Sequence, residues 1–363
     1  MTNQAQQMYA LSLDQSTDAI KAVGHMRTIL LQGDMGTGKS SVLYELAKQT
    51  GFNPCYFDCT TKDLGELMIP SLQSIEKDGC VRMIPNEELG VHLKQPVILM
   101  VDEFGKANPS VKNGMLRLML ERKIGSYELH PDSIVFATTN KGSEGVGDML
   151  PPHARNRLTV VQTRKTDHMD WIEWGINNEI DATLLGWVKD NPQLMASFED
   201  VKDPDENPYI FHPKQQRLSF VTPRSLHAAS DILKQRGAFD DQTLTSLLMG
   251  TIGDRGAMDL MSFVKLADQL PSLQSIKDTP KDAKVPSSAA AVCMVVYRTL
   301  AALEKEWLNA WMDYLPRLDT EAQALFANGV RAPKYSKQSM VMTNKKFTEW
   351  AMKNSHLYSA DKK

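Results

Sequence analysis

Short apolar runs recur along the first half of the chain at intervals that leave room for a helix between them: 28–32 (TILLQ), 54–59 (PCYFDC), 97–101 (VILMV), 133–138 (SIVFAT) and 158–162 (LTVVQ). Runs without polar alternation suit strands buried on both faces, because helices cover each side of a parallel sheet. Between the first two runs, 39–49 places Val42, Leu43, Leu46 and Ala47 at helical spacing, with Gly51 positioned to end the helix. After the third, Asn108 is a good N-cap and Pro109 suits the first helical position, opening a helix through Val111, Met115, Leu116 and Met119. The pattern predicts an α/β domain over 27–163, with a parallel five-stranded sheet, preceded by an N-terminal helix or linker over 1–26.

Beyond 164 no strand alternation appears, and apolar spacing of three and four takes over, as in Trp171, Ile172, Ile176 and then Leu184, Leu185, Val188. We expect a helical region over 164–270, with a loop near 203–213, a helix start at Thr222 and Pro223, and further helices over 244–252 and 262–270. Residues 271–288 contain three prolines and read as a linker. A helical C-terminal region, 289–330, begins with one long helix over 288–314, and a tail over 331–363 follows.

Of the 363 residues, 42% are apolar and 23% charged, an ordinary globular composition that excludes disordered and collagenous chains. The longest apolar run, 289–297, falls far short of the roughly 18 residues a membrane span requires. The first residues have neither a basic start nor an apolar stretch of signal type, so a cytoplasmic protein without a membrane segment is expected. Four cysteines cannot form a disulfide framework, and Cys55 and Cys59 lack a second close pair for zinc, so we read the cysteines as small buried apolar residues. The net charge of -3 hides an asymmetry: 331–363 carries eight Lys or Arg against two Asp or Glu, a basic tail on an acidic body.

The strongest chemical signal is GDMGTGKS, which fits G-x-x-x-x-G-K-[ST] and lies between a predicted strand and a predicted helix. Its phosphate-binding stretch runs through Gly33, Asp34, Met35, Gly36, Thr37, Gly38, Lys39 and Ser40 to Ser41. Glycines let the backbone curl so that successive N–H groups face an anion, Lys39 reaches terminal phosphates, and the Ser40 hydroxyl binds Mg2+. The run VILMVDEF then ends in Asp102 and Glu103, at the carboxyl edge where open α/β sheets bind ligands. Beside a phosphate loop, Asp102 suits the Mg2+ shell and Glu103 a base that polarises water for attack on a γ-phosphate. The next strand ends in FATTN, so Asn140 stands at the same edge and could orient that water. MLPPHARNRL follows, with Arg155 and Arg157 before the fifth strand.

These motifs, together with DLGEL (63–67), DGCVRMIP (78–85), VDEFGKANPSVKNGMLRLMLERK (101–123) and TPRSL (222–226), resemble MoxR-type AAA+ ATPases, the group that includes the CbbQ, NorQ and RavA proteins. The likeness covers about 20–265 in order and spacing. It implies an AAA+ core with a helical lid. Lys39 and Ser40 would be the Walker A pair, Asp102 and Glu103 the Walker B pair, and Asn140 sensor 1. Arg157 would be the finger reaching a neighbour's site, and Arg224 the lid's sensor 2. The Asp that precedes the family's finger is Asn156 here and the Phe that follows it is Leu158, so Arg155 remains a rival finger. The likeness further implies ATP with Mg2+, a homo-oligomeric, hexameric ring, and a client protein that carries a von Willebrand factor A domain or is a metalloenzyme. Segments 62–90 and 123–132 match the family's insertion and hairpin, candidate client contacts or plain loops.

In the tail, Lys337, Lys345, Lys346 and Lys353 interleave with Tyr335, Phe347, Trp350 and Tyr358. Such a pattern follows a nucleic-acid backbone and stacks on bases, or else is an amphipathic helix packing Phe347, Trp350 and Met352 inward. Trp307 and Trp311, four apart, read as a core face. The principal reading is an ATPase that remodels a partner. The alternatives are a nucleic-acid-associated motor or McrB-like GTPase subunit, and a nucleotide-gated scaffold with low turnover.

Overall fold

Each of the five apolar runs forms a strand, and the reason lies in how their side chains divide. In chain order the first unit holds α1 (Leu13–Val23), β1 (Ile29–Gly33), α2 (Ser41–Thr50), β2 (Asn53–Asp58), α3 (Leu64–Leu67), β3 (Met68–Pro70), α4 (Leu72–Asp78) and β4 (Met83–Pro85). It continues with β5 (Val97–Asp102), α5 (Pro109–Glu121), β6 (Lys123–Ile124), β7 (Tyr127–Glu128), β8 (Ile134–Asn140) and β9 (Thr159–Gln162). The sheet runs β2-β5-β8-β1-β9, and every pairing in it is parallel. Ile29, Leu31, Ile98, Met100 and Phe136 pack on one face against Ile20 of α1 and Val42, Leu43 and Leu46 of α2. Leu30, Leu99, Val101, Val135 and Ala137 pack on the other against Val111, Met115 and Leu118 of α5. Because successive side chains point to opposite faces, an unbroken apolar run supplies both cores at once.

This is a computed structural model, and it describes residues 9–140, 156–267 and 270–358; the chain divides into two units, 1–166 and 167–363. In the first unit the Asn108 side chain accepts from the Ser110 N–H and Pro109 occupies the first turn of α5, as the sequence predicts. Segments 62–90 and 123–132 each contain an antiparallel ribbon, β3 with β4 and β6 with β7. They meet at Gly125, whose φ of +57° belongs to the left-handed region; a Cβ there would lie 3.3 Å from Met68 Sδ. Among the described residues no helix is long and apolar enough to cross a membrane.

The second unit is helical: α6 (His168–Asn177), α7 (Ala182–Asp190), α8 (Pro223–Lys234), α9 (Asp241–Ile252), α10 (Asp254–Ala267), α11 (Leu273–Asp278), α12 (Ala289–Ala302), α13 (Leu308–Tyr314), α14 (Thr320–Arg331), α15 (Gln338–Met342) and α16 (Lys345–Lys353). One apolar core runs from Trp171 to Leu357. Three sequence expectations change here. The 271–288 linker carries α11, whose Ile276 is buried, and Ala283 joins the same core. The single helix over 288–314 is two, because α12 is buried nearly all round and continuing it would carry the exposed Glu304, Lys305 and Glu306 into the interior. The chain instead turns out at Leu303 and re-enters with Trp307 and Trp311 buried. Third, the cysteines are not uniformly buried, since Cys80 is exposed while Cys55, Cys59 and Cys293 are buried.

The basic tail is part of this core. Tyr335, Phe347 and Trp350 are buried, and the Phe347 ring packs on Phe326 and Trp350 with centroids 6.3 Å and 5.9 Å away. Lysines lie outside, Lys346 on Asp313 at 2.6 Å and Lys345 exposed. Met352 is 74% exposed rather than inward, because the helical period carries the buried stripe from Phe347 to Trp350 and past it. Rings buried in a core cannot stack on bases, so these three aromatics supply no nucleic-acid platform. We expect Phe347→Ala to destabilise this unit by about 3–5 kcal/mol, read as a lower urea midpoint, and deletion of 331–363 to prevent its folding.

Candidate functional site

The two-residue period of a strand assembles the site. Tyr56 on β2 is paired with Met100 on β5, and Met100 with Phe136 on β8, so Tyr56, Asp102, Thr138 and Asn140 share the face covered by α2. The strand ends align as well: Asp58 is level with Asp102 and Gly33 with Asn140.

β1 ends in glycine because the chain passes too close for any side chain: a Cβ on Gly33 would stand 2.0 Å from Thr163 Oγ1. The loop then turns through Gly36 and Gly38 at φ +69° and +92°, conformations that other residues adopt only with strain. Thr37 Oγ1 donates to the Asp34 carbonyl at 2.9 Å and Ser41 Oγ to the Gly38 carbonyl at 2.6 Å, which fixes the curl. α2 starts directly after Ser40, so an anion held by the loop would face the positive end of a helix. The Lys39 side chain folds back beneath the loop. Its residue is 7% exposed, and Nζ donates to the carbonyls of Gly33 at 2.9 Å and Asp34 at 2.7 Å and to Asn140 Oδ1 at 2.9 Å.

At the end of β5, Asp102 is buried and both of its oxygens are held. Thr138 Oγ1 donates to Oδ1, the Tyr56 hydroxyl donates to Oδ2 at 2.8 Å, and Ser40 Oγ lies 3.5 Å from the same Oδ2. Glu103 follows with φ +50°, a left-handed conformation that a non-glycine residue keeps where the surroundings enforce it. Its N–H donates to Thr138 Oγ1 at 3.2 Å, its Oε1 accepts from Asn140 Nδ2 at 2.9 Å, and its Oε2 pairs with Lys106 Nζ at 3.0 Å. Asn140 therefore links the loop cation to the second carboxylate, one end of its amide on each. The Cys59 thiol beside these acids is pushed up to about 12 by burial, then by the charges of Asp58 and Asp102, so it stays neutral and unreactive at pH 7.

The structure thus brings Lys39, Ser40, Asp102, Glu103 and Asn140 together around the loop 33–41. The Ser40 hydroxyl and the Asp102 carboxylate are oxygen donors of the kind a hard ion such as Mg2+ would take. Arg157 lies exposed on the turn before β9, and Arg155 lies outside the described residues. Arg224 belongs to the second unit, exposed in the first turn of α8 behind a capping box formed by Thr222 and Ser225. Three contributors went unread in the sequence: Tyr56, Thr138 and Lys106. The first two sit within strand-like runs and look like ordinary strand residues until the register is known. Lys106, three positions after Glu103, had a readable signal in its spacing.

The family model for the ATPase family associated with various cellular activities (AAA) matches residues 29–165. Midasin of Giardia intestinalis is 28% identical over 194 residues, 50% of this chain and 4% of that protein. Protein MoxR of Paracoccus denitrificans is 31% identical over 135 residues, 36% of this chain and 39% of that protein. The chain therefore spans only a small part of midasin and about two fifths of MoxR. A solved structure of a Thermotoga maritima RuvB mutant is 14% identical with a TM-score of 0.36, covering 82% of this chain and 85% of that one, a score too low for the two to be compared as wholes.

Proposed function

We propose that the chain is an AAA+ ATPase of MoxR type, which binds ATP at loop 33–41 and hydrolyses it within a ring of six identical subunits, remodelling a partner protein as its lid moves; the match of 29–165 to the AAA family model and the likeness to MoxR support this reading. The observation that carries this reading is the linkage from Lys39 through Asn140 to Glu103, beside the Ser40 and Asp102 pair. Loop N–H groups and Lys39 hold the β- and γ-phosphates. Ser40 and Asp102 would hold Mg2+, which when bound would supply positive charge to the phosphate oxygens. Asn140 turns between the γ-phosphate and Glu103. Glu103 takes a proton from the water that attacks the γ-phosphorus, and ADP leaves as the β–γ bridging bond breaks.

A charge must also meet the transition state from outside the subunit, and the exposed Arg157 is suited to reach a neighbour's γ-phosphate. Arg224 would act as sensor 2. The exposed Leu64, Ile69, Leu72, Val81 and Ile84, on and around the β3–β4 ribbon, suit a client contact. The client's class, a von Willebrand factor A protein or a metalloenzyme, rests on the family resemblance.

Steady-state hydrolysis of ATP and of GTP over a protein concentration series, with native mass on the same samples, tests the reading. We expect turnover per subunit to rise with concentration alongside a six-subunit mass. Arg157→Ala should lose about 10³-fold or more in turnover and recover when mixed with a Glu103→Gln subunit, which still offers its own Arg157. Activity independent of concentration in a monomer would overturn the ring, and a strong preference for GTP would favour the McrB-like alternative.

A further inference from the structure

Tyr56 has no part in the chemistry above, yet its hydroxyl is bound to the carboxylate at the centre of the site. We propose that Tyr56 is a positioning residue that presents Asp102 to the divalent cation, an inference that rests on the reading of Ser40 and Asp102 as the metal-holding pair.

Register places the phenol beside the carboxylate. Tyr56 stands opposite Met100, and Asp102 is two residues further along the same strand and so on the same face. That diagonal is within the reach of an aromatic side chain but not of a short one. β2 is an edge strand, and Tyr56 is 42% exposed, so its ring contributes little to the core. What the residue supplies is the hydroxyl, donating to Asp102 Oδ2 at 2.8 Å, a charge-assisted bond.

With Thr138 Oγ1 on Oδ1 and Tyr56 on Oδ2, the carboxylate is gripped from both neighbouring strands and cannot rotate about its last bond. Each carboxylate oxygen can accept more than one bond. Oδ2 therefore keeps capacity on the side where Ser40 Oγ stands 3.5 Å away, the position a shared cation would occupy. Groups that orient a metal ligand in this way change metal affinity by about 10–100-fold when removed. Phenylalanine keeps the ring and the strand propensity and removes only the bond.

The test reads metal binding directly. Free Mn2+ is titrated by electron paramagnetic resonance against the full-length chain saturated with a non-hydrolysable ATP analogue. Tyr56→Phe should weaken Mn2+ binding by about 10-fold, while analogue binding in EDTA and the melting temperature stay at wild-type values. Wild-type Mn2+ affinity in Tyr56→Phe overturns the proposal, as does an equal loss of metal-free analogue binding, which would make the phenol merely structural. Asp102→Asn separates this from the reading beneath it. If Asp102→Asn weakens Mn2+ binding and Tyr56→Phe does not, only the role of Tyr56 fails; if Asp102→Asn has no effect, the metal-holding pair itself is wrong.

Discussion

Lys39→Ala should leave a folded protein that no longer holds nucleotide, with ATP affinity below detection by calorimetry and hydrolysis lowered by at least about 10²–10³-fold, the loss typical of removing one donor from a developing oxyanion. The side chain is buried beneath its loop and makes three short bonds, to the Gly33 and Asp34 carbonyls and to Asn140 Oδ1. Alanine removes the cation that faces the phosphates and also the donor that orients Asn140. Two functions fall together, the electrostatic one and the link to Glu103. Lys39→Arg would keep the charge, but a planar fork cannot meet donor positions built around a compact ammonium, so it too should bind poorly. Wild-type affinity in Lys39→Ala would remove the phosphate loop from the account altogether.

Glu103→Gln should retain nucleotide binding and lose about 10²–10⁴-fold in turnover, the range a positioned general base contributes. The amide is isosteric, and its oxygen can still accept from Asn140 Nδ2, so the geometry at the end of β5 survives. It cannot take a proton, and it gives up the ion pair with Lys106. Single-turnover hydrolysis beside equilibrium binding separates these effects, since a base variant lowers kcat and leaves the dissociation constant near its starting value. Normal hydrolysis in this variant would reassign the base. It would also remove the trapped subunit on which the Arg157 mixing experiment depends.

Much of the first unit was legible because its information is local. Five apolar runs, a glycine loop between strand and helix, and the Asn108-Pro109 helix start are written in neighbouring residues, and each appears where expected. The second unit was less legible. A helix buried all round has no polar face to mark its end, so α12 and α13 merged into one, and prolines near 271–288 concealed α11. The tail's aromatics and lysines fitted both a nucleic-acid platform and a packed helix, and only the positions of Phe326 and Trp350 around Phe347 decide for packing.

Residue type and spacing within a few positions suffice to read the glycine loop, the acidic strand end and the α/β class. That Tyr56, Thr138 and Lys106 join the site and that Asn140 couples Lys39 to Glu103 emerges with the folded sheet alone. The physical reason is register: which side chains meet across parallel strands is set by pairings between segments tens of residues apart, and the two-residue period turns that pairing into a choice of face.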